Sequence, residues 1–249
     1  LQHLSSKSDK FQVYDLGYVS YEEARRISRE VFHPRLGDLS EEGKLKSEGV
    51  LLFAKHPPTL TLGKRIRKSD LSSDDIRFWE SRGVNIIETD RGGKVSYHGP
   101  GQLMLYPLIS LPSYGFSVKQ FVERVLGAVA KIVQSLGGLD HFGKPLIDAF
   151  VDECLQGVWI NHEGVTKKIA SAGFRILKGK SEHGIALYID KIPQEFSYFN
   201  PCGLCPEVFT SLEEVSNRDW NIEFIKESFT RLFPSFFSLE NENLMNSEC

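Results

Sequence analysis

Asp90-Arg91-Gly92-Gly93-Lys94-Val95-Ser96-Tyr97-His98-Gly99-Pro100-Gly101-Gln102 packs four glycines and a proline into thirteen residues. Such a run is no ordinary helix or strand interior, because glycine forfeits backbone entropy there and proline lacks a donor. Strand-like apolar segments flank it, Val84–Ile87 before and Leu103–Leu111 after. The run therefore reads as a loop that lets backbone approach a ligand closely, with Arg91, Tyr97 and His98 as its chemical groups.

The 249 residues suffice for a sizeable core, as one large domain or two small ones. Hydrophobic residues make up 41%, charged residues 25% and aromatics 11%, which is the balance of a globular protein. A net charge of −3 gives no reason to expect a nucleic-acid partner. No apolar run reaches the roughly 20 residues of a membrane span, and no signal-peptide pattern is read in these residues. Cys154, Cys202, Cys205 and Cys249 are too few for a disulfide scaffold, so a cytoplasmic setting is the default. The absence of an initiator Met leaves an organelle matrix open as an address.

Outward from the loop, Phe11–Leu16 alternates as a strand, and Leu1–Lys10 before it reads as a frayed extension. Ser20-Tyr21-Glu22-Glu23 has capping-box spacing and opens a helix to about Val31. Val50–Ala54 and Thr59–Leu62 are short strands around His56-Pro57-Pro58. Ser72 or Ser73 caps a helix to about Ser81. Val118 to Leu136 shows helical periodicity, closed by Gly137-Gly138. Gly157–Ile160, Lys168–Leu177 and His183–Ile189 are strand-like, with Asn161–Thr166 as a polar turn. Asn221–Leu232 is a helix, and Glu240–Cys249 a polar tail. No repeat or composition break divides the chain, so one α+β domain is expected, with a mixed β-sheet flanked by helices.

Asn200-Pro201-Cys202-Gly203-Leu204 sets a cysteine in a turn, where its sulfur is accessible; the competing reading is a small buried hydrophobe. Lys168-Ile169-Ala170-Ser171-Ala172-Gly173 carries a lysine into an apolar strand, and burying an unpaired ammonium is costly. Cys202 and Cys205 have redox or metal-pair spacing, but no second pair completes a zinc site and no helix-opening context suits a thioredoxin unit.

Together, Arg91-Gly92-Gly93…Ser96-Tyr97-His98-Gly99-Pro100-Gly101-Gln102, the Lys168 block, His183-Gly184-Ile185-Ala186-Leu187 and Pro201-Cys202-Gly203 resemble the lipoyl(octanoyl) transferases. His56-Pro57-Pro58-Thr59-Leu60-Thr61-Leu62-Gly63 and Gly157-Val158-Trp159-Ile160 resemble further blocks of that family, so the likeness runs from about Leu51 to Leu212. Tyr188 departs from the family's usual asparagine.

The resemblance implies a biotin/lipoate protein ligase-like catalytic domain that moves an octanoyl group from octanoyl-acyl-carrier protein to a lysine of a lipoyl domain. It implies Cys202 as the acyl-thioester nucleophile and Lys168 as its partner, with no cofactor and no metal. It places Arg91, Gly92, Gly93, Lys94, Val95, Ser96, Tyr97 and His98, Ser171, Ala172 and Gly173, and Gly184, Ile185 and Ala186 along the substrate. The implied partners are acyl-carrier protein and the lipoyl domains of 2-oxoacid dehydrogenase complexes and of glycine cleavage H protein. A Cys–His dyad with His98 or His183 is the rival chemistry. An ATP-dependent lipoate or biotin ligase, or a non-catalytic acyl-binding module, is the rival function. Lys64-Arg65-Ile66-Arg67-Lys68 is the candidate basic rim for an acidic carrier protein.

Overall fold

The chain is described from a computed structural model, which covers residues 1–4, 11–37, 49–152, 156–200 and 203–237. Chain order begins β1 (Gln2–Leu4), β2 (Phe11–Tyr18), α1 (Tyr21–Ile27), β3 (Gly49–Lys55), β4 (Thr59–Leu62), α2 (Ser73–Glu80), β5 (Asn85–Glu88), β6 (Val95–His98) and β7 (Gln102–Ile109). It continues α3 (Leu111–Tyr114), α4 (Val118–Gly137), β8 (Asp148–Phe150), β9 (Val158–His162), β10 (Val165–Leu177), β11 (Lys180–Tyr188), α5 (Leu212–Ser216) and α6 (Ile222–Leu232).

Eight strands form one mixed sheet in the order β1-β2-β3-β7-β11-β10-β9-β8, and β5-β4-β6 form a second. Each sheet holds one parallel pair, β2 with β3 and β4 with β5. A parallel pair needs a crossover, and α1 and α2 lie in these two connections. The α+β class with a mixed sheet is thus the observed one.

Alternation along the central strands decides where the site can be. Leu51 and Phe53 of β3, Leu103 and Leu105 of β7, and Ile185 and Leu187 of β11 enter one apolar cluster with α4 and α6. Their neighbours Leu52, Ala54, Met104, Tyr106, Ala186 and Tyr188 enter a second cluster with Leu60, Leu62 and Tyr97 of the small sheet. Strands buried on both faces read as continuous apolar runs, which is why β3 and β7 show no polar alternation. Ser117 caps α4 by accepting from the Gln120 N–H, and Gln120 returns the bond in a capping box.

Several boundaries differ from the sequence reading. The glycine-rich loop contains a strand, β6, which pairs antiparallel with β4 from Thr59↔His98 to Leu62↔Val95. Its glycines sit at the ends, leaving four residues free to join a ladder. The first helix stops at Ile27, and a π turn (Ser28–Phe32) and a 3₁₀ turn at Pro34 follow. The expected six-residue turn shrinks to Glu163 and Gly164, both at positive φ as a tight hairpin requires, so β10 starts at Val165. Gln2–Leu4 is no frayed end but pairs with Val13–Asp15. The strand β8 and the short helices α3 and α5 were not expected. Glu240–Cys249 and Cys154 lie outside the described residues. Among the described residues, no helix is long and apolar enough to cross a membrane.

The α4 face supplies a stability test. Phe121 is fully buried and meets the Phe174 ring edge-on, with centroids 5.2 Å apart. Phe121→Ala is expected to lower unfolding free energy by about 3–5 kcal/mol in urea titrations.

Candidate active site

Arg91 builds the loop wall from inside. Its buried guanidinium donates from Nε and NH2 to Thr61 Oγ1 (3.0 and 2.8 Å), from NH2 to the Thr61 and Lys94 carbonyls (2.6 and 2.8 Å), and from NH1 to the Gly92 carbonyl (2.9 Å). The Gly92 N–H donates to the Phe174 carbonyl of β10 at 3.1 Å. Loop, small sheet and large sheet are thereby joined. Gly173 eases this junction, since a Cβ there would sit a tight 3.2 Å from the Gly92 carbonyl oxygen and 3.3 Å from Arg91 Cδ.

Lys168 is buried in β10, opposite Trp159, where the β9–β10 register shifts. Its Nζ stands 5.3 Å from the Trp159 ring centroid and 6.0 Å from that of Phe209, distances at which an aromatic face attracts an ammonium. Gly157 makes room for it. At φ 130°, a Cβ on Gly157 would lie 2.5 Å from Lys168 Cε. Lys167, the chain neighbour of Lys168, is only half-buried. Pro201 and Cys202 lie outside the described residues. On their far side, the Gly203 N–H donates to the Asn200 carbonyl at 2.9 Å, and a Cβ at Gly203 would come 3.3 Å from Lys94 Nζ. Cys205 is exposed.

An open cleft of about 1280 Å³ is lined by Lys64, Arg65, Gly92, Gly93, Lys94 and Lys168 among others, with no acidic side chain among its described lining residues. Arg91 and Ala172 connect it to an inner cavity of about 330 Å³ lined by Ser96, His98, Ser171, Gly173, Gly184 and Ala186, together with Tyr21, Met104, Tyr106 and His183. Val95, Tyr97 and Ile185 line neither cavity. Period two is the reason: Ser96 and His98 face the cavity, so Val95 and Tyr97 turn into the second apolar cluster and Ile185 into the first. Of the basic run, Lys64 and Arg65 reach the cleft, whereas Ile66 packs against the second cluster and Lys68 pairs with Glu80 at 3.3 Å. Tyr188, in place of the usual asparagine, donates to Ser171 Oγ at 2.6 Å.

Tyr21 and Tyr106 escaped the sequence reading. The signal for Tyr21 was a stripe on the first helical segment: Tyr21, Arg25 and Arg29 recur at i, i+4 and i+8 and share one face.

That face meets a half-buried ionic cluster. His183, at φ 61°, bonds through Nδ1 to Tyr21 Oη (2.9 Å) and through Nε2 to Asp90 Oδ1 (2.7 Å). Arg25 and Arg29 each reach Asp90 Oδ2 at 2.8 Å, Arg29 also reaches Glu182 at 2.6 Å, and Arg175 contacts both carboxylates. Burial opposes the charge of Asp90, but the hydrogen bonds from Arg29 and His183 and the Arg25 charge outweigh it and hold the carboxyl well below its usual range. Burial pushes His183 down to about 4 against the pull of Asp90. The imidazole is therefore neutral: Nε2–H donates to the carboxylate, and Nδ1 accepts from the tyrosine. Asp90, Glu182 and His183 stand close enough to suggest a metal site. Three guanidiniums already supply the positive charge a cation would bring.

Two further histidines are neutral. Burial, then the Arg91 charge, lowers His98 far below 6.5; His98 Nε2 lies 3.1 Å from Thr61 Oγ1. Burial lowers His56, which bonds the Val19 carbonyl at 2.7 Å and Tyr106 Oη at 2.6 Å.

These depressed values set a pH dependence. Between pH 6.5 and about 4 the unfolded chain holds a proton on residue 183 that the folded chain refuses. Stability is complete above the unfolded value and is lost as pH falls through that window, by about 3 kcal/mol from His183. Urea titrations at stepped pH are expected to show this loss. His183→Asn, which tolerates positive φ, is expected to reduce the slope by one proton.

The comparisons with known proteins agree with this geometry. The lipoyl protein ligase A/B catalytic domain family matches residues 38–234. The octanoyltransferase of Parabacteroides distasonis is 31% identical over 232 residues, covering 92% of this chain and all of that protein. That of Porphyromonas gingivalis is 28% identical over 233 residues, 93% of this chain but 44% of its own length. A crystal structure of lipoate-protein ligase A bound with ATP superposes with a TM-score of 0.66 at 16% identity, over 90% of this chain and 84% of that one, which shows a shared fold. The chain belongs to the lipoyl protein ligase A/B catalytic-domain family, and within it to the octanoyltransferases.

Proposed function

We propose that this protein transfers an octanoyl group from octanoyl-acyl-carrier protein to a lysine of lipoyl domains, through a thioester on Cys202. The observation that carries the reading is the buried Lys168 side chain on the wall of a cationic cleft that shares Arg91 and Ala172 with an inner cavity. The acceptors are the lipoyl domains of 2-oxoacid dehydrogenase complexes and glycine cleavage H protein, met in the cytoplasm or an organelle matrix.

In the first half-reaction the Cys202 thiolate, favoured by the Lys168 charge, attacks the donor thioester carbonyl. A new C–S bond forms, the carrier's C–S bond breaks, and the carrier leaves as a thiolate that takes up a proton. Acylation removes the negative charge beside Lys168, so its proton is more easily released to solvent. In the second half-reaction neutral Lys168 accepts a proton from the substrate amine as nitrogen attacks the acyl carbonyl. The Cys202 C–S bond then breaks and regenerates the thiolate. An arginine stays protonated and is unfit for this role.

Intact-protein mass after incubation with octanoyl-acyl-carrier protein, without ATP, is expected to show a hydroxylamine-labile octanoyl adduct that Cys202→Ser abolishes. Lys168→Arg is expected to keep the adduct while transfer falls at least about 100-fold. No adduct, with ATP-dependent modification of a lipoyl domain by free octanoate, assigns a ligase instead.

The cleft rim gives a second test. Acyl-carrier proteins are acidic, and Lys64 and Arg65 make no ion pair among the described residues. Lys64→Ala with Arg65→Ala is expected to raise KM for the carrier about tenfold at low salt, with the difference vanishing at high ionic strength.

A further inference from the structure

We propose that Tyr21, locked between His98 and His183, is the end wall of the acyl cavity and sets the longest acyl chain the protein accepts. The proposal rests on the acyl-transfer reading above.

Shared walls order three cavities in a row. Lys168 lies on the open cleft; Arg91 and Ala172 divide that cleft from the inner cavity. Tyr21, Tyr106 and His183 divide the inner cavity from a third of about 270 Å³. An acyl chain whose carbonyl stands near Lys168 and whose tail enters the inner cavity therefore points at Tyr21.

The wall is rigid. The Tyr21 ring stacks on His98 (centroids 5.5 Å, 24°) and on His183 (6.3 Å, 21°). Its hydroxyl donates to His183 Nδ1, and His183 is pinned in turn by Asp90. Tyr21 Oη and both His183 ring nitrogens are paired, while the buried His98 Nδ1 has no hydrogen-bond partner among the described residues, so a hydrocarbon tail meets ring faces and that one polar atom.

The space beyond is wrong for hydrocarbon. Besides the shared wall, Arg25, Ser28, Arg29 and Glu182 line the third cavity. A methylene passing Tyr21 would displace hydration from guanidinium and carboxylate groups without replacing it. Length selection thus has a steric stop backed by a polar chamber. A branch off the cleft, lined by Val118, Val122, Phe174 and Ile176, is the competing place for the tail. It opens to solvent at Val118, which is 54% exposed.

The test measures transfer from saturated acyl-carrier-protein thioesters of six to fourteen carbons, alongside calorimetric binding of the free acids. Wild type is expected to fall at least about tenfold from eight to twelve carbons. Tyr21→Ala is expected to recover at least tenfold in the twelve-to-eight ratio, and Tyr21→Phe, which keeps the ring, to retain the wild-type ratio. Tyr21→Leu serves if the alanine variant does not fold, as judged by thermal unfolding.

Unchanged profiles in the shortened variants overturn the proposal. So does a profile that shifts with Val122→Trp and not at Tyr21, which seats the tail in the branch. If wild type transfers nothing yet binds acids with a cut-off that Tyr21→Ala lengthens, the function fails and the end wall stands. If wild type neither transfers nor binds, both fall.

Discussion

A buried cation holds the site in shape. Arg91 gives its guanidinium to Thr61 and to the Gly92 and Lys94 carbonyls, so one side chain ties the loop to the small sheet. A buried charge with empty donors would be severely destabilising, whereas charge-assisted bonds to oxygen offset its desolvation. Its chain neighbour Asp90 points the other way, into the arginines of α1 and the π turn that follows it and toward Arg175 of β10. Two adjacent residues of opposite charge thus fasten the loop on both sides, and Gly92 closes the third side through the Phe174 carbonyl.

Protonation states follow from this arrangement. Histidines 56, 98 and 183 are all depressed by burial and stay neutral, so they act as hydrogen-bonding walls. Positive charge comes instead from arginines, which do not titrate, and from the lysines of the cleft, of which Lys168 lies near two aromatic faces. Neutral imidazoles leave the cavity more hospitable to hydrocarbon than its list of side chains suggests.

Much of this was legible beforehand. The spacing of apolar residues in α4, the capping serines 20 and 72, and the short strand Thr59–Leu62 all formed as expected, while the Ser117 cap of α4 was read only from the structure. Lys168 is buried in its apolar strand, whereas its chain neighbour Lys167 is only half-buried. The contiguous motif Arg91–His98 was less faithful. Its letters run in sequence, but its side chains alternate between cavity and core once Val95–His98 pairs with β4. Tyr21 stood at a helix start that explained itself by capping, so nothing local drew attention to it.

Local chemistry, then, was written in the chain: which segments form helices and strands, which lysine an apolar strand would bury, which loop needs glycine. These depend on neighbours within a few residues, where propensity and periodicity act. The meeting of Tyr21, Asp90 and His183 depends instead on strand order. β11 must pair with β7 and β10, and α1 must pack across that face, before residues 162 positions apart share a hydrogen bond. No periodicity encodes such a contact, because its energy arises only when the sheet has closed and water has left.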